Sequence, residues 1–266
     1  MPRDTRTRKK TRHSSLCKKV ELTLPTAWDQ LTQEQLHHVL RLFVMFDGEE
    51  YWLSSAKIAA FLFFCGITIE RRVPRGWLCS MGDKYFVLAH DLLPAVLHPL
   101  EWMGHPEQMT VRLEKWGERQ AADMWLYGFL FGDYLKLENF YQGYLATHAV
   151  GNLKEMAGLL YEKPETETKE PELDDIMQLN VLLWFGAIKA RFTREFPHFL
   201  KPPSGNSSKV PDQRAITVAQ IRALTQGDVT KNNAVMNTDT WDALTELEAL
   251  AVESEELKKK YGKGNV

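Results

Sequence analysis

The sequence predicts a mainly α fold, a multi-helical domain with a small β-hairpin insert and a C-terminal helical hairpin. Two observations predict it. Apolar residues recur three and four apart along most of the 266 residues, and period-two alternation is confined to short stretches. Hydrophobic residues make up 44% and charged residues 26%, enough apolar matter for one large core or two smaller ones.

Residues 1–19 form a basic arm, with Arg3, Arg6, Arg8, Lys9, Lys10, Arg12, Lys18 and Lys19 against the single acid Asp4 and almost nothing to bury. It is expected to be disordered. Two readings stand: a nucleic-acid arm that releases counterions from phosphates, through Arg3, Arg6, Arg8, Lys9, Lys10 and Arg12, or a solvated tail. No aromatic residue interleaves there to stack a base. The helical domain is placed at 20–161. Val20–Leu24 alternates like a half-buried strand closed by Pro25. Thr32-Gln-Glu-Gln35 fits a capping box, with Leu36, Val39, Leu40 and Phe43 following at helical spacing. Asp47-Gly48 ends that helix, and Ser54 or Ser55 is expected to cap the next, whose apolar content runs to Cys65 before Gly66 offers a stop. The apolar window Ile58–Ile69 reads as a buried core helix, since it has roughly half of the about 20 residues a membrane span needs.

Between residues 76 and 89 a short β-hairpin is expected, from Trp77-Leu-Cys, a Met81-Gly-Asp turn and Tyr85–Leu88. Asp91 should cap a helix running to Trp102, broken by Gly104, His105 and Pro106. Trp125 to Leu145 is dense in aromatics. Such a stripe usually packs in a core, and its alternative use is partner binding through Trp125, Phe129, Tyr134 and Tyr141. Leu153–Tyr161 is a further amphipathic helix. An acidic linker at 162–172 without apolar residues is expected to be a flexible surface loop. A returning helix occupies 173–200, a Pro/Gly/Ser linker 201–213, and a C-terminal helical hairpin 214–266 with Trp241, Leu244, Leu247 and Leu250 on one side.

Net charge is −2, so no global field draws the chain to nucleic acid or acidic lipid. Cys17, Cys65 and Cys79 form no CxxC pair, and no apolar run follows the basic start as a secretory signal would, so a cytoplasmic, non-membrane protein is expected. Neither GxxxxGK[ST], GxGxxG nor GxSxG occurs. His98, Glu101 and His105 have ligand-like spacing, but Pro99 and Gly104 interrupt the helix that would align them. His37 and His38, adjacent on a helix, point about 100° apart and cannot chelate from one face. Glu49-Glu50 and Asp174-Asp175 lie beside turns and linker, where hydration leaves their pKa values alike. The acidic C-terminal piece argues against a helix-turn-helix DNA reader. The expectation is therefore a protein with no catalytic, cofactor or metal site that works by binding. An enzyme assembled from residues distant in sequence is the remaining alternative.

Four segments carry a resemblance: Leu24-Pro-Thr-Ala-Trp-Asp-Gln-Leu-Thr32, Phe131-Gly-Asp-Tyr-Leu-Lys-Leu-Glu-Asn-Phe-Tyr-Gln-Gly-Tyr144, Leu159-Leu-Tyr-Glu-Lys-Pro164 and Ala223-Leu-Thr-Gln-Gly-Asp-Val-Thr-Lys231. They are similar to uncharacterised phage or prophage proteins of gut bacteria, which resemble tail assembly chaperones. The resemblance implies a helical assembly factor that keeps a long tape-measure protein soluble, so that its partner would be a phage structural protein. It assigns no individual residue a role. Helix-in-groove binding would suit such a factor, and a nucleic-acid-associated phage protein using the basic arm is the alternative.

Overall fold

The computed structural model describes residues 19–200 and 213–261. The basic residues Arg3 to Arg12 lie outside the described residues. Helices dominate, but the fold is mixed α/β, with two separate three-stranded antiparallel sheets among the described residues. This corrects the expectation of a mainly α fold with one hairpin.

Helix α1 (Gln33–Phe46) starts as the sequence predicts. The Thr32 hydroxyl accepts from the Gln35 amide at 3.2 Å, and the Gln35 side chain accepts from the Thr32 amide at 2.9 Å. Ahead of it, Val20, Leu22 and Leu24 pack against the core and alternate with exposed neighbours, yet no strand forms because no partner strand lies alongside among the described residues. Helix α2 (Trp52–Phe64) begins without a serine cap, its N-cap being Tyr51. It ends where the sequence offers a stop, at Gly66. Gly66 takes a left-handed φ of 59°, and the Ile67 amide reaches back to the Leu62 carbonyl at 2.8 Å, a Schellman closure that favours glycine.

The chain then forms a meander, β1 (Thr68–Val73), β2 (Gly76–Met81) and β3 (Lys84–Ala89). The expected hairpin is its second half. Strand β1 is an exposed edge with an irregularity between Ile69 and Arg71, so its sequence shows no clean alternation. Cys79, Phe86 and Leu88 face the core. Gly76 is required by proximity, since a Cβ there would fall on the Leu88 carbonyl. The helix expected from Asp91 to Trp102 is a 3-10 turn, a five-residue helix α3 (Leu93–Leu97) and a second 3-10 stretch, and Asp91 makes no cap. Pro94 and Pro99 each remove an amide that a continuous α-helix would need.

The second sheet joins β4 (Lys115–Trp116), β5 (Arg119–Ala121) and β6 (Tyr161–Glu162). Around it run α4 (Phe131–Thr147), α5 (Val150–Leu160) and α6 (Asp175–Glu195), the last carrying buried Trp184, Phe185, Ile188 and Phe192. Stretch 162–172 is not an unpacked loop. Arg119 in β5 grips Glu167 with two hydrogen bonds, Nε to Oε1 at 2.8 Å and Nη2 to Oε2 at 2.9 Å, and the guanidinium also lies 4.7 Å from the Trp116 ring. Indole N–H groups repeatedly tie loops down: Trp28 to the His105 carbonyl, Trp102 to Pro25, Trp116 to Glu172 and Trp184 to Met124. The C-terminal part comprises α7 (Gln213–Thr225), α8 (Asn232–Met236) and α9 (Thr240–Tyr261). It docks on α4 and α6 through Trp241, Leu244 and Leu247.

Candidate functional site

An open groove of about 1180 Å³ lies between α4, α7 and α9, with Phe199 and Leu200 of the segment after α6 also lining it. Helical periodicity builds its walls. On α4 the spacing of Leu135, Glu138, Asn139, Gln142 and Ala146 puts them on one face. On α7 that role falls to Ile216, Ala219, Gln220 and Ala223, and on α9 to Leu247, Leu250 and Ala251. The surface is mainly apolar, and small residues on α7 and α9 leave it unfilled.

One charged pair sits in the wall. Lys189 Nζ of α6 meets Glu138 Oε2 at 2.6 Å, and Gln142 donates to the other carboxylate oxygen at 2.9 Å. Glu138 is buried, so pairing replaces the hydration it has lost. Burial, with Glu138 nearby, pushes the Tyr134 hydroxyl well up and the Tyr141 hydroxyl up. Both phenols stay protonated at neutral pH, and the carboxylate is occupied. Across the groove Glu248 of α9 fixes the lip formed by Phe199 and Leu200. It accepts from the backbone amides of His198 at 3.1 Å and Phe199 at 2.8 Å and faces the His198 ring at 2.5 Å. Burial raises the Glu248 carboxyl, but these amides and the ring outweigh it and hold the group below its ordinary value.

Of the aromatic residues singled out by sequence, Tyr134 alone lines the groove. Tyr141 packs edge-on against Phe185 at 5.1 Å in the α4–α6 interface. Trp125 and Phe129 belong to a latch that holds α9. The Trp125 carbonyl accepts from the Trp241 indole at 2.8 Å, and the Phe129 carbonyl accepts from the Thr240 amide at 2.8 Å and its hydroxyl at 2.7 Å. Arg191 sits 4.4 Å from the Trp125 ring and 5.1 Å from Trp241, while Tyr127 stacks on Trp241 at 4.9 Å. The Glu138–Lys189 pair and the Phe199–Leu200 lip were missed. Their partners lie about fifty positions away, and no local signal announces such a pairing.

Among the described residues no group of three or more His, Cys, Asp or Glu could hold a metal ion. Glu101 is committed to Lys57 at 2.6 Å, which pulls its carboxyl down, and His105 faces Glu107 at 3.2 Å. No helix among the described residues is long and apolar enough to cross a membrane. Comparison of the chain with family models, curated proteins and solved structures yields no match.

Proposed function

We propose that the chain is a non-enzymatic binding protein that seats an amphipathic helix of a partner protein in the α4–α7–α9 groove. The single observation that carries this reading is the groove itself. It is open, exceeds the roughly 300–1,000 Å³ of small-molecule pockets, and its charged residues, Glu138 and Lys189, already satisfy each other. An α-helix about 10 Å across, with apolar residues at i, i+3, i+4 and i+7, matches a trough walled by three helices. The resemblance of the segments around Trp28, Tyr134, Tyr161 and Gly227 to phage and prophage proteins extends the proposal. In that reading the chain is a tail assembly chaperone in the cytoplasm of a bacterial host, and its partner is a tape-measure-like phage structural protein.

The test is affinity purification of the tagged chain from cells expressing its native gene cluster, after nuclease, with mass spectrometry of what remains. Ala219→Arg and Leu145→Glu crowd or charge the groove at exposed positions. The expected result is stoichiometric recovery of one long helical protein, lost in the double variant while circular dichroism is unchanged. Recovery untouched by the double variant refutes the groove as the seat.

One observation favours a second reading. Arg71, Arg72 and Arg75 stand exposed near the β1–β2 turn without an ion-pair partner among the described residues, a cationic tip that an anionic nucleic acid would fit. Nuclease-sensitive recovery that falls steeply with salt and needs residues 1–19 supports this alternative against the first.

A further inference from the structure

We propose that a second cleft, where α1 and the start of α2 face α4, α5 and α6, is a guanidinium site that receives an arginine side chain from a basic segment of a partner protein. The cleft has a volume of about 550 Å³ and is lined by Phe43, Asp47, Trp52, Tyr144 and Asp175 over an aliphatic floor from α6. The inference does not rest on the helix-binding groove.

The first argument is charge. Asp47 and Asp175 are both exposed at the rim, and neither has a cationic partner among the described residues. The contact on Asp175 is a long one from Gln178 Nε2, at 3.4 Å. Asp174 beside it is already engaged, capping α6 through the Met177 amide at 2.8 Å. Three carboxylates elsewhere are neutralised from within the chain: Glu138 by Lys189, Glu101 by Lys57 and Glu167 by Arg119. The cleft therefore presents two carboxylates without a cationic side-chain partner among the described residues beside an apolar floor.

The second argument is the way this chain uses its indole rings. Trp116 carries Arg119, Trp184 carries Arg112, and Trp125 and Trp241 share Arg191, with guanidinium carbons 4.4–5.3 Å from the ring centres. Trp52 lines the cleft edge-on to Phe43 at 5.4 Å, is 38% exposed, and carries no cation from the described residues. A planar guanidinium can stack on an indole and still offer its N–H fork to a carboxylate, which a compact ammonium cannot do at once. An apolar slot with aromatic walls and two carboxylates that lack a cation among the described residues selects arginine over lysine on that ground.

The test is titration of N-acetyl-L-arginine methylamide into the full chain carrying ¹⁵N-labelled tryptophan, following the indole N–H signals. Trp52→Phe identifies the Trp52 signal by its loss. The expected result is a saturable shift centred on Trp52, weakened about fivefold or more by Asp47→Asn or Asp175→Asn and for the lysine analogue. Ala219→Arg in the groove leaves the titration unchanged, so failure here and failure of the groove reading are distinguishable. No saturation, or equal shifts for arginine, lysine and the asparagine variants, overturns the proposal. So does a concentration-dependent dimer abolished by Asp47→Asn, which would place a second copy's arginine in the cleft.

Discussion

Tyr161→Phe removes one oxygen from a closed polar triangle in the core, and its cost can be worked from the geometry. The Tyr161 hydroxyl donates to the Leu113 carbonyl at 2.7 Å and accepts from Asn180 Nδ2 at 2.8 Å. The Leu113 amide donates to Asn180 Oδ1 at 2.9 Å. Tyr161 and Asn180 are both fully buried. Burial also pushes the phenol far up, so it remains a donor across the neutral range. Phenylalanine keeps the ring between Trp116 and Trp184 but orphans one buried carbonyl and one buried amide N–H. At about 1–3 kcal/mol for each unsatisfied group, and at the lower end for the carbonyl, the loss is about 3 kcal/mol. Urea unfolding followed by tryptophan fluorescence should show the midpoint fall by about 1 M for a slope near 3 kcal/mol per M. Asn180→Leu alone orphans the Leu113 amide. The double variant should be about 1–2 kcal/mol less destabilised than the sum of the singles, because the stranded Asn180 N–H is then gone. A loss below about 0.5 kcal/mol for Tyr161→Phe, or strict additivity, refutes the triangle as a structural tie.

Three further outcomes are expected. Glu248 is held below its ordinary value of 4.5 in the folded chain, so its contribution is present above that pH and lost as pH falls through the folded value. The stability gap between wild type and Glu248→Gln should therefore be widest at neutral pH and close as pH falls below that ordinary value, and a gap that persists at low pH sinks this account. Burial raises the Cys65 thiol to about 11 against 9.0, so in a Cys17→Ser background its alkylation at about pH 8 should run about 100-fold slower than in urea, read by peptide mapping. Equal rates would contradict it. Trp241→Ala removes a half-buried indole that Arg191, Tyr127 and Phe192 all contact, and should cost about 2–3 kcal/mol. Hydrogen exchange should show the loss of protection concentrated in α9, and unchanged protection there would disprove the latch.

The sequence displayed whatever a single segment decides by itself. Thr32 and Gln35 announced a capping box, and Leu36 to Phe43 announced the face that α1 buries. The second sheet was invisible because its strands hold two or three residues, too few for alternation, and β6 pairs with β5 from forty residues away. Strand β1 was invisible for another reason. An edge strand with nearly every side chain exposed has no buried set to alternate with. Val20–Leu24 shows the converse, since alternation there reports alternate burial without any pairing. Glu162–Glu172 looked unable to pack because its composition is polar, but packing came from Arg119, a charge supplied by another element. The groove is legible only in pieces. Leu247 and Leu250 stood out on their helix, whereas the concavity exists because three helices meet, and no one of them encodes that meeting.

The seam between residues 128–131 and 238–240 sets an order on assembly. Thr240 donates to the Phe129 carbonyl and Phe131 to the Thr238 carbonyl, while the Gly128 amide reaches Asp239, partners 107 to 111 positions apart. Closing so long a loop is slow compared with forming α4 and α5, which sit next to each other in sequence. The α4 wall is made early and packs on α6, whereas the α9 wall follows only once residues beyond 240 have been made. The groove is thus completed only when α9 docks, and a chain stopped before residue 240 leaves open the surface that Trp241, Leu244 and Leu247 cover.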